Sequence, residues 1–141
     1  MSTLEGHCLC GNVTYSVDDG TEPLMTVVCH CTVCQHQTGG PFSVNVVVPE
    51  TAFHLNGDTV GEYVTTSEET QTPVQRKFCT TCGSPIVAIL HAMPGIVAIK
   101  AGTLSDTSGV QPTAEIWARS KQPWVETNDD LGVFATGLPA S

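Results

Sequence analysis

The chain has 141 residues, of which 40% are hydrophobic and 13% charged, so it is long enough for one globular domain and is not a disordered segment. Five Lys and Arg stand against fourteen Asp and Glu, a formal charge of −9. Such a surface repels phosphate backbones and anionic lipids, so we expect neither nucleic acid nor a membrane as partner.

Two local features complete this picture. Positive charge clusters only at Gln75–Lys77, which we interpret as a solvated strand end rather than a basic patch. The first ten residues show neither a basic start nor an apolar run, so we predict no signal peptide and a cytoplasmic protein.

Strand-length runs rich in β-branched and aromatic residues, separated by Gly, Pro, Asn and Asp, predict a mainly β domain. In chain order they are NVTYSV (12–17), FSVNVVVP (42–49), GEYVTT (61–66), PVQRKF (73–78), SPIVAIL (84–90), GIVAIKAG (95–102) and AEIWARS (114–120). The only predicted helix is one or two turns in CTVCQHQ, at 31–37.

Seven cysteines in three groups are the main functional signal. They are Cys8 and Cys10, then Cys29, Cys31 and Cys34, and finally Cys79 and Cys82. Disulfides are one interpretation, but the count is odd, and the two cysteines of an extended Cys-x-Cys cannot easily reach disulfide geometry. Three groups of closely spaced cysteines favour metal binding over buried thiols or a redox dithiol.

The spacing divides the seven cysteines into four and three. Cys79 and Cys82 form a Cys-x-x-Cys-Gly turn, and the Cys-x-Cys of Cys8 and Cys10 is also followed by a glycine. Two such half-sites predict one closed, four-thiolate structural site. Cys29, Cys31 and Cys34 are then left as three ligands with one open position, which is typical of a catalytic zinc.

An alternative for the trio is a second closed site that a histidine completes. His36 is close enough to reach back to it, whereas His30 should point away if the segment is extended. Iron is possible in a thiolate site, but no cluster-binding pattern is present, so zinc is the expected metal at both sites.

The segments GHCLCGNVTY (6–15), CHCTVCQHQTGGPFS (29–43), KFCTTCGSPI (77–86), AGTLSD (101–106) and SKQPWVE (120–126) together resemble the glutathione-dependent formaldehyde-activating enzymes, which are relatives of centromere protein V. The resemblance implies a zinc-stabilised β-tent fold of antiparallel sheets with little helix. It implies a single domain over 1–141 with an ordered core at about 6–134. By the resemblance, Cys8, Cys10, Cys79 and Cys82 hold a structural zinc, and Cys29, Cys31 and Cys34 are the catalytic zinc ligands.

The expected activity follows from the charge of the open site. Three thiolates around Zn²⁺ give a net charge of about −1, so this zinc suits the binding of a further thiol better than the activation of water. The resemblance implies glutathione and formaldehyde as the partners, joined as S-(hydroxymethyl)glutathione, and hence a carbon–sulfur lyase. The alternative is a non-catalytic, zinc-stabilised binding module.

Overall fold

A computed structural model describes residues 4–138, and within this range the chain forms eleven strands and one α-helix. The strands are β1 (Glu5–His7), β2 (Thr14–Val17), β3 (Met25–Cys29), β4 (Ser43–Pro49), β5 (Phe53–Asn56), β6 (Val60–Thr66), β7 (Pro73–Cys79), β8 (Pro85–Leu90), β9 (Ile96–Lys100), β10 (Ala114–Ile116) and β11 (Gly132–Val133). The helix is α1 (Thr32–Thr38), where the sequence predicted it. The mainly β prediction is confirmed.

The strands form two sheets. A three-stranded sheet has the order β1-β2-β5, and an eight-stranded sheet has the order β11-β10-β3-β4-β9-β8-β7-β6. Pairing is antiparallel except at β10, which runs parallel to both β3 and β11. The larger sheet therefore places β3, β4 and β9 side by side in its middle.

The main core lies on one face of the large sheet. Val46 pairs with Ile99 and Val48 with Val97, and all four side chains are buried. They pack together with Tyr15 and Val17 of β2 and with other buried apolar side chains. Burial of each such aliphatic side chain is worth about 1.5–3 kcal/mol.

The opposite face is partly apolar as well. Val47, Val74, Ala88 and Ala98 form a second buried cluster there. Because β4 and β9 bury side chains on both faces, their sequences read as nearly continuous apolar runs. Lys100 and Asn45 share this second face with Ala98 and Val47, since side chains two residues apart lie on the same side of a strand.

Several elements differ from the sequence prediction. Four strands were not predicted: β1, β3, β5 and β11. The run at 114–120 was too long a prediction, because Trp117 has φ of 57° and ends the extended backbone after Ile116. Gln75–Lys77 was wrongly interpreted as a strand end. These residues are half-buried in the middle of β7, between β6 and β8.

The described part of the chain contains no helix with the length and hydrophobicity of a membrane span.

Candidate metal centres

The first cysteine cluster joins the beginning of the described chain to the end of β7. The ligand sulfurs of Cys8, Cys10, Cys79 and Cys82 all lie within 4.8 Å of one another. Cys10 Sγ is 3.6 Å from Cys8 Sγ and 3.7 Å from Cys79 Sγ. Tetrahedral zinc with Zn–S bonds of about 2.3 Å holds its sulfurs about 3.8 Å apart. The four sulfurs therefore fit a tetrahedral metal ion.

Two left-handed glycines shape the loops of this cluster. Gly11 has φ of 83° and Gly83 has φ of 80°, and each donates its amide hydrogen to a cysteine carbonyl three or four residues earlier. A residue with a Cβ rarely adopts this conformation. The chain can therefore turn back tightly enough for both sulfurs of each pair to face the same point.

Hydroxyl groups stabilise two of these sulfurs as thiolates. The Thr59 hydroxyl lies 3.3 Å from Cys79 Sγ, and its hydrogen bond lowers the pKa of that thiol. The Ser84 hydroxyl lies 3.2 Å from Cys82 Sγ, and this contact, with backbone amides, lowers the pKa of Cys82 to about 5. Thiolate is the form that binds metal, so both contacts favour a loaded site.

The second cluster is local in sequence. Cys29 is the last residue of β3, Cys31 caps α1 and Cys34 lies in its first turn. Their sulfurs also lie within 4.8 Å of one another. Cys29 and Cys34 are buried, while Cys31 is half-buried. No His, Cys, Asp or Glu of residues 4–138 adds a fourth ligand atom to the group.

The two histidines near this trio have other partners. His36 Nδ1 lies 2.9 Å from the Thr32 carbonyl on the exposed side of α1. His30 is fully buried and points away from the trio, as its position predicted, with Nε2 2.6 Å from Glu115 Oε1. The Glu115 carboxylate also accepts a hydrogen bond from the Asn128 amide. His30 therefore fastens the cysteine loop to β10.

A buried cation lies beside the trio. Lys100, at the end of β9, is only 7% exposed. Burial lowers the pKa of Lys100, while the charge of Cys34 opposes that shift. The pKa of Cys29 is raised, chiefly by its hydrogen bonds with Cys31 and Cys34. Hydrogen bonds from Cys29 and Cys31, the Lys100 charge and the Ser43 side chain together lower the pKa of Cys34.

Sequence reasoning did not place Lys100 near the trio. The signal was a single lysine at the end of the apolar run GIVAIKAG, where a charged side chain has little access to water. Ser43 carried no comparable signal, since its contact with Cys34 exists only because β4 pairs with β3 opposite Cys29.

A cavity of about 490 Å³ lies between α1 and the outer strands β6 and β7. This volume is within the usual range for small-molecule sites. Its lining residues are Thr32, Val33, His36, Gln37, Tyr63, Thr65, Arg76, Phe78, Gly83 and Pro85. Thr32 and Val33 are the two residues between Cys31 and Cys34, so the cavity shares a helix with the trio.

Fold and site define the class: a small, mainly β protein with two cysteine clusters, each able to hold a metal ion. The family model described as glutathione-dependent formaldehyde-activating enzyme matches residues 3–120, and the chain belongs to this enzyme family. The resemblance drawn from the cysteine segments is thereby confirmed.

Three chains of solved structures are similar to this chain. One of them comes from the crystal structure of a Rhodobacter sphaeroides protein. It has a TM-score of 0.58 and 20% sequence identity, covering 77% of this chain and 91% of that chain. At that identity the likeness shows the fold alone. No curated protein sequence matches the chain.

Proposed function

We propose that the chain is a zinc-dependent carbon–sulfur lyase that joins and cleaves thiol–aldehyde adducts, similar to S-(hydroxymethyl)glutathione synthase. The observation that carries the proposal is the trio of Cys29, Cys31 and Cys34, three converging sulfurs with no fourth ligand from residues 4–138. The family supports glutathione and formaldehyde as the partners. Cys8, Cys10, Cys79 and Cys82 would hold a second, purely structural zinc.

Zinc bound by the trio would supply an open position where an incoming thiol binds as its thiolate, with a pKa well below that of the free thiol. Cys29 and Cys34 hold two of the three ligand positions in the buried part of the site, while half-buried Cys31 borders the solvent side. The thiol would therefore enter from the side of Cys31.

The reaction itself needs little from the protein beyond placement and charge. The thiolate sulfur forms a bond to the aldehyde carbon, the C=O π electrons move to oxygen, and this oxygen takes up the proton that the thiol released. Lys100 pairs with Asn45 of β4, two residues beyond Ser43, which pairs with Cys29, and we assign Lys100 the role of stabilising the oxygen as it becomes negative. Cleavage of the adduct follows the same steps in reverse order.

Titration of the cobalt-substituted protein with glutathione tests this proposal. The sulfur-to-metal charge-transfer band should intensify as the thiolate binds. The apparent affinity should rise with pH and level off above the pKa of the free thiol, near about 8.5 for a cysteine-like thiol. Exchange NMR should show formaldehyde and glutathione interconverting with their adduct faster than without protein.

Two outcomes would contradict the proposal. A fully metallated protein whose spectrum does not change at millimolar thiol has a closed site, and the chain is then better described as a zinc-stabilised binding module. S-methylglutathione, whose sulfur cannot form a thiolate, should bind far more weakly than glutathione. Equal affinity of the two ligands would show that the metal is not the anchor.

A further inference from the structure

Arg76 has no carboxylate partner among residues 4–138, although the chain is acidic. Carboxylates outnumber Lys and Arg fourteen to five. Lys77 lies 3.9 Å from Glu62, and Arg119 lies 3.3 Å from Glu68. Arg76, one residue before Lys77, forms no ion pair with any acidic group of residues 4–138. Its charge is therefore available to an anion from outside the protein.

Neutral groups hold the Arg76 guanidinium in place. Its Nε donates to the Thr65 hydroxyl at 2.9 Å, and one Nη donates to the Gln37 side-chain oxygen at 3.3 Å. These contacts connect β7 to β6 on one side and to α1 on the other. A guanidinium has five N–H donors, so several remain for a ligand, and the two contacts orient them without neutralising the charge.

The cavity lined by Arg76 suits the carbon chain of a small acid. Much of its wall is apolar, from Val33, Tyr63, Phe78 and Pro85. None of its ten lining residues is Asp or Glu. One arginine in such surroundings recognises one carboxylate, because the weakly hydrated guanidinium forms strong, charge-assisted hydrogen bonds with it.

The cavity and the cysteine trio share helix α1: Thr32 and Val33 of the lining lie between Cys31 and Cys34. Gln37, which contacts Arg76, lies one helical turn beyond Cys34 on α1. A ligand with its sulfur at the trio would therefore extend beside α1 toward Arg76.

We propose that Arg76 binds the carboxylate of the substrate thiol and that the site selects thiols with one carboxylate remote from the sulfur. This inference rests on the proposed function, since it places the sulfur at the trio. Glutathione would use one of its two carboxylates here, and the lining offers no acidic side chain for its ammonium group. Simple mercapto acids fit the cavity better, because they have one carboxylate for Arg76 and no ammonium group.

Matched thiols test the proposal in the cobalt-substituted protein. Mercaptoacetate, mercaptopropionate and mercaptobutyrate are compared with mercapto alcohols of the same length, by charge-transfer titration. We expect the best acid to bind about 10- to 100-fold more tightly than its alcohol. Arg76→Gln should remove this preference and leave the affinity for the alcohols within about twofold of wild type.

Two further variants separate recognition from folding. Arg119→Gln also removes an arginine, but one that already has a carboxylate partner, and it should keep the full preference for acids. Arg76→Lys keeps the charge without the fork of N–H donors and should keep part of the preference. If Arg76→Gln is unstable in thermal melts, Arg76→Lys decides the question.

The outcomes distinguish this proposal from the proposed function. If wild type binds acids and alcohols equally, or if Arg119→Gln loses the preference as Arg76→Gln does, the role of Arg76 is overturned while thiol binding stands. If no thiol changes the cobalt spectrum, the proposed function fails. Calorimetry with methylthiopropionate, a carboxylate without a thiol, then decides on Arg76 alone. Binding that Arg76→Gln abolishes supports the site, and no binding overturns it.

Discussion

The two cysteine clusters differ in how far apart in sequence their members lie. The four-cysteine cluster joins residue 8 to residue 82, whereas the trio spans only six positions, 29–34. The four-cysteine cluster is also the more exposed, since Cys10 lies at the surface. Burial therefore does not distinguish the candidate structural site from the candidate catalytic site. The two sites are distinguished by the sequence separation of their cysteines and by the number of ligands.

The surroundings of the clusters differ as well. Two hydroxyl groups, from Thr59 and Ser84, contact the sulfurs of the first cluster. The trio has a buried lysine, Lys100, two strands away in the sheet, and a cavity beside its helix. A site that holds distant segments together needs only stable thiolates, while a site that reacts needs an open position, charge and room for a ligand.

The largest effect should come from removing a ligand of the four-cysteine cluster. Cys8→Ser is expected to destabilise the protein by about 3 kcal/mol or more and to lower its Tm by about 10 °C, because metal binding there contributes directly to folding. Thermal melting with metal analysis measures both effects. A melting temperature within a degree or two of wild type would contradict the structural assignment.

Cys31→Ser should have the opposite profile. The variant should lose the second metal and at least about 100-fold of the activity, yet remain folded with the first metal bound. The trio links only neighbouring residues, so it contributes less to the stability of the sheet. Elemental analysis that shows both metals lost, together with unfolding, would place the trio in the scaffold.

Glu115→Ala should weaken the trio specifically. It leaves His30 and the Asn128 amide without their acceptor, and we expect a loss of about 1–3 kcal/mol of stability. Metal affinity at the trio should fall, while the four-cysteine cluster should be unaffected. Chelator competition measures each metal separately. Glu126→Ala, at an exposed position, is the control and should change neither value.

The smallest effect is expected from Ser84→Ala. Without this hydroxyl, the pKa of Cys82 should rise from about 5, so protons compete more strongly with metal for the sulfur. The pH at which the first metal is released should therefore move upward, with metal affinity about tenfold lower at neutral pH. Ser105→Ala, at an exposed serine, should leave the release profile unchanged. If Ser84→Ala released the metal at the same pH as wild type, the Ser84 hydroxyl would have no effect on metal binding.

Strand prediction succeeded for seven runs, missed β3 although Thr26, Val27 and Val28 are β-branched, and failed for strands that contain no such run. FSVNVVVP became β4 because its side chains bury well on a pleated sheet. The short β1 and β11 contain no such run and are strands only because β2 and β10 pair with them. The extent of the domain and its cytoplasmic location remain predictions.

The sequence by itself determined the cysteine sites, because ligand spacing is a local property of the chain. Cys-x-Cys, Cys-x-x-Cys and the flanking glycines fix how sulfurs can converge, whichever fold surrounds them. Only the tertiary structure decided which charges serve those sites. Lys100 reaches the trio because β9 pairs with β4, and Arg76 reaches the cavity because β7 lies opposite α1. The positions of these two cations depend on strand order, and strand order follows from burial over the whole sheet rather than from any short segment.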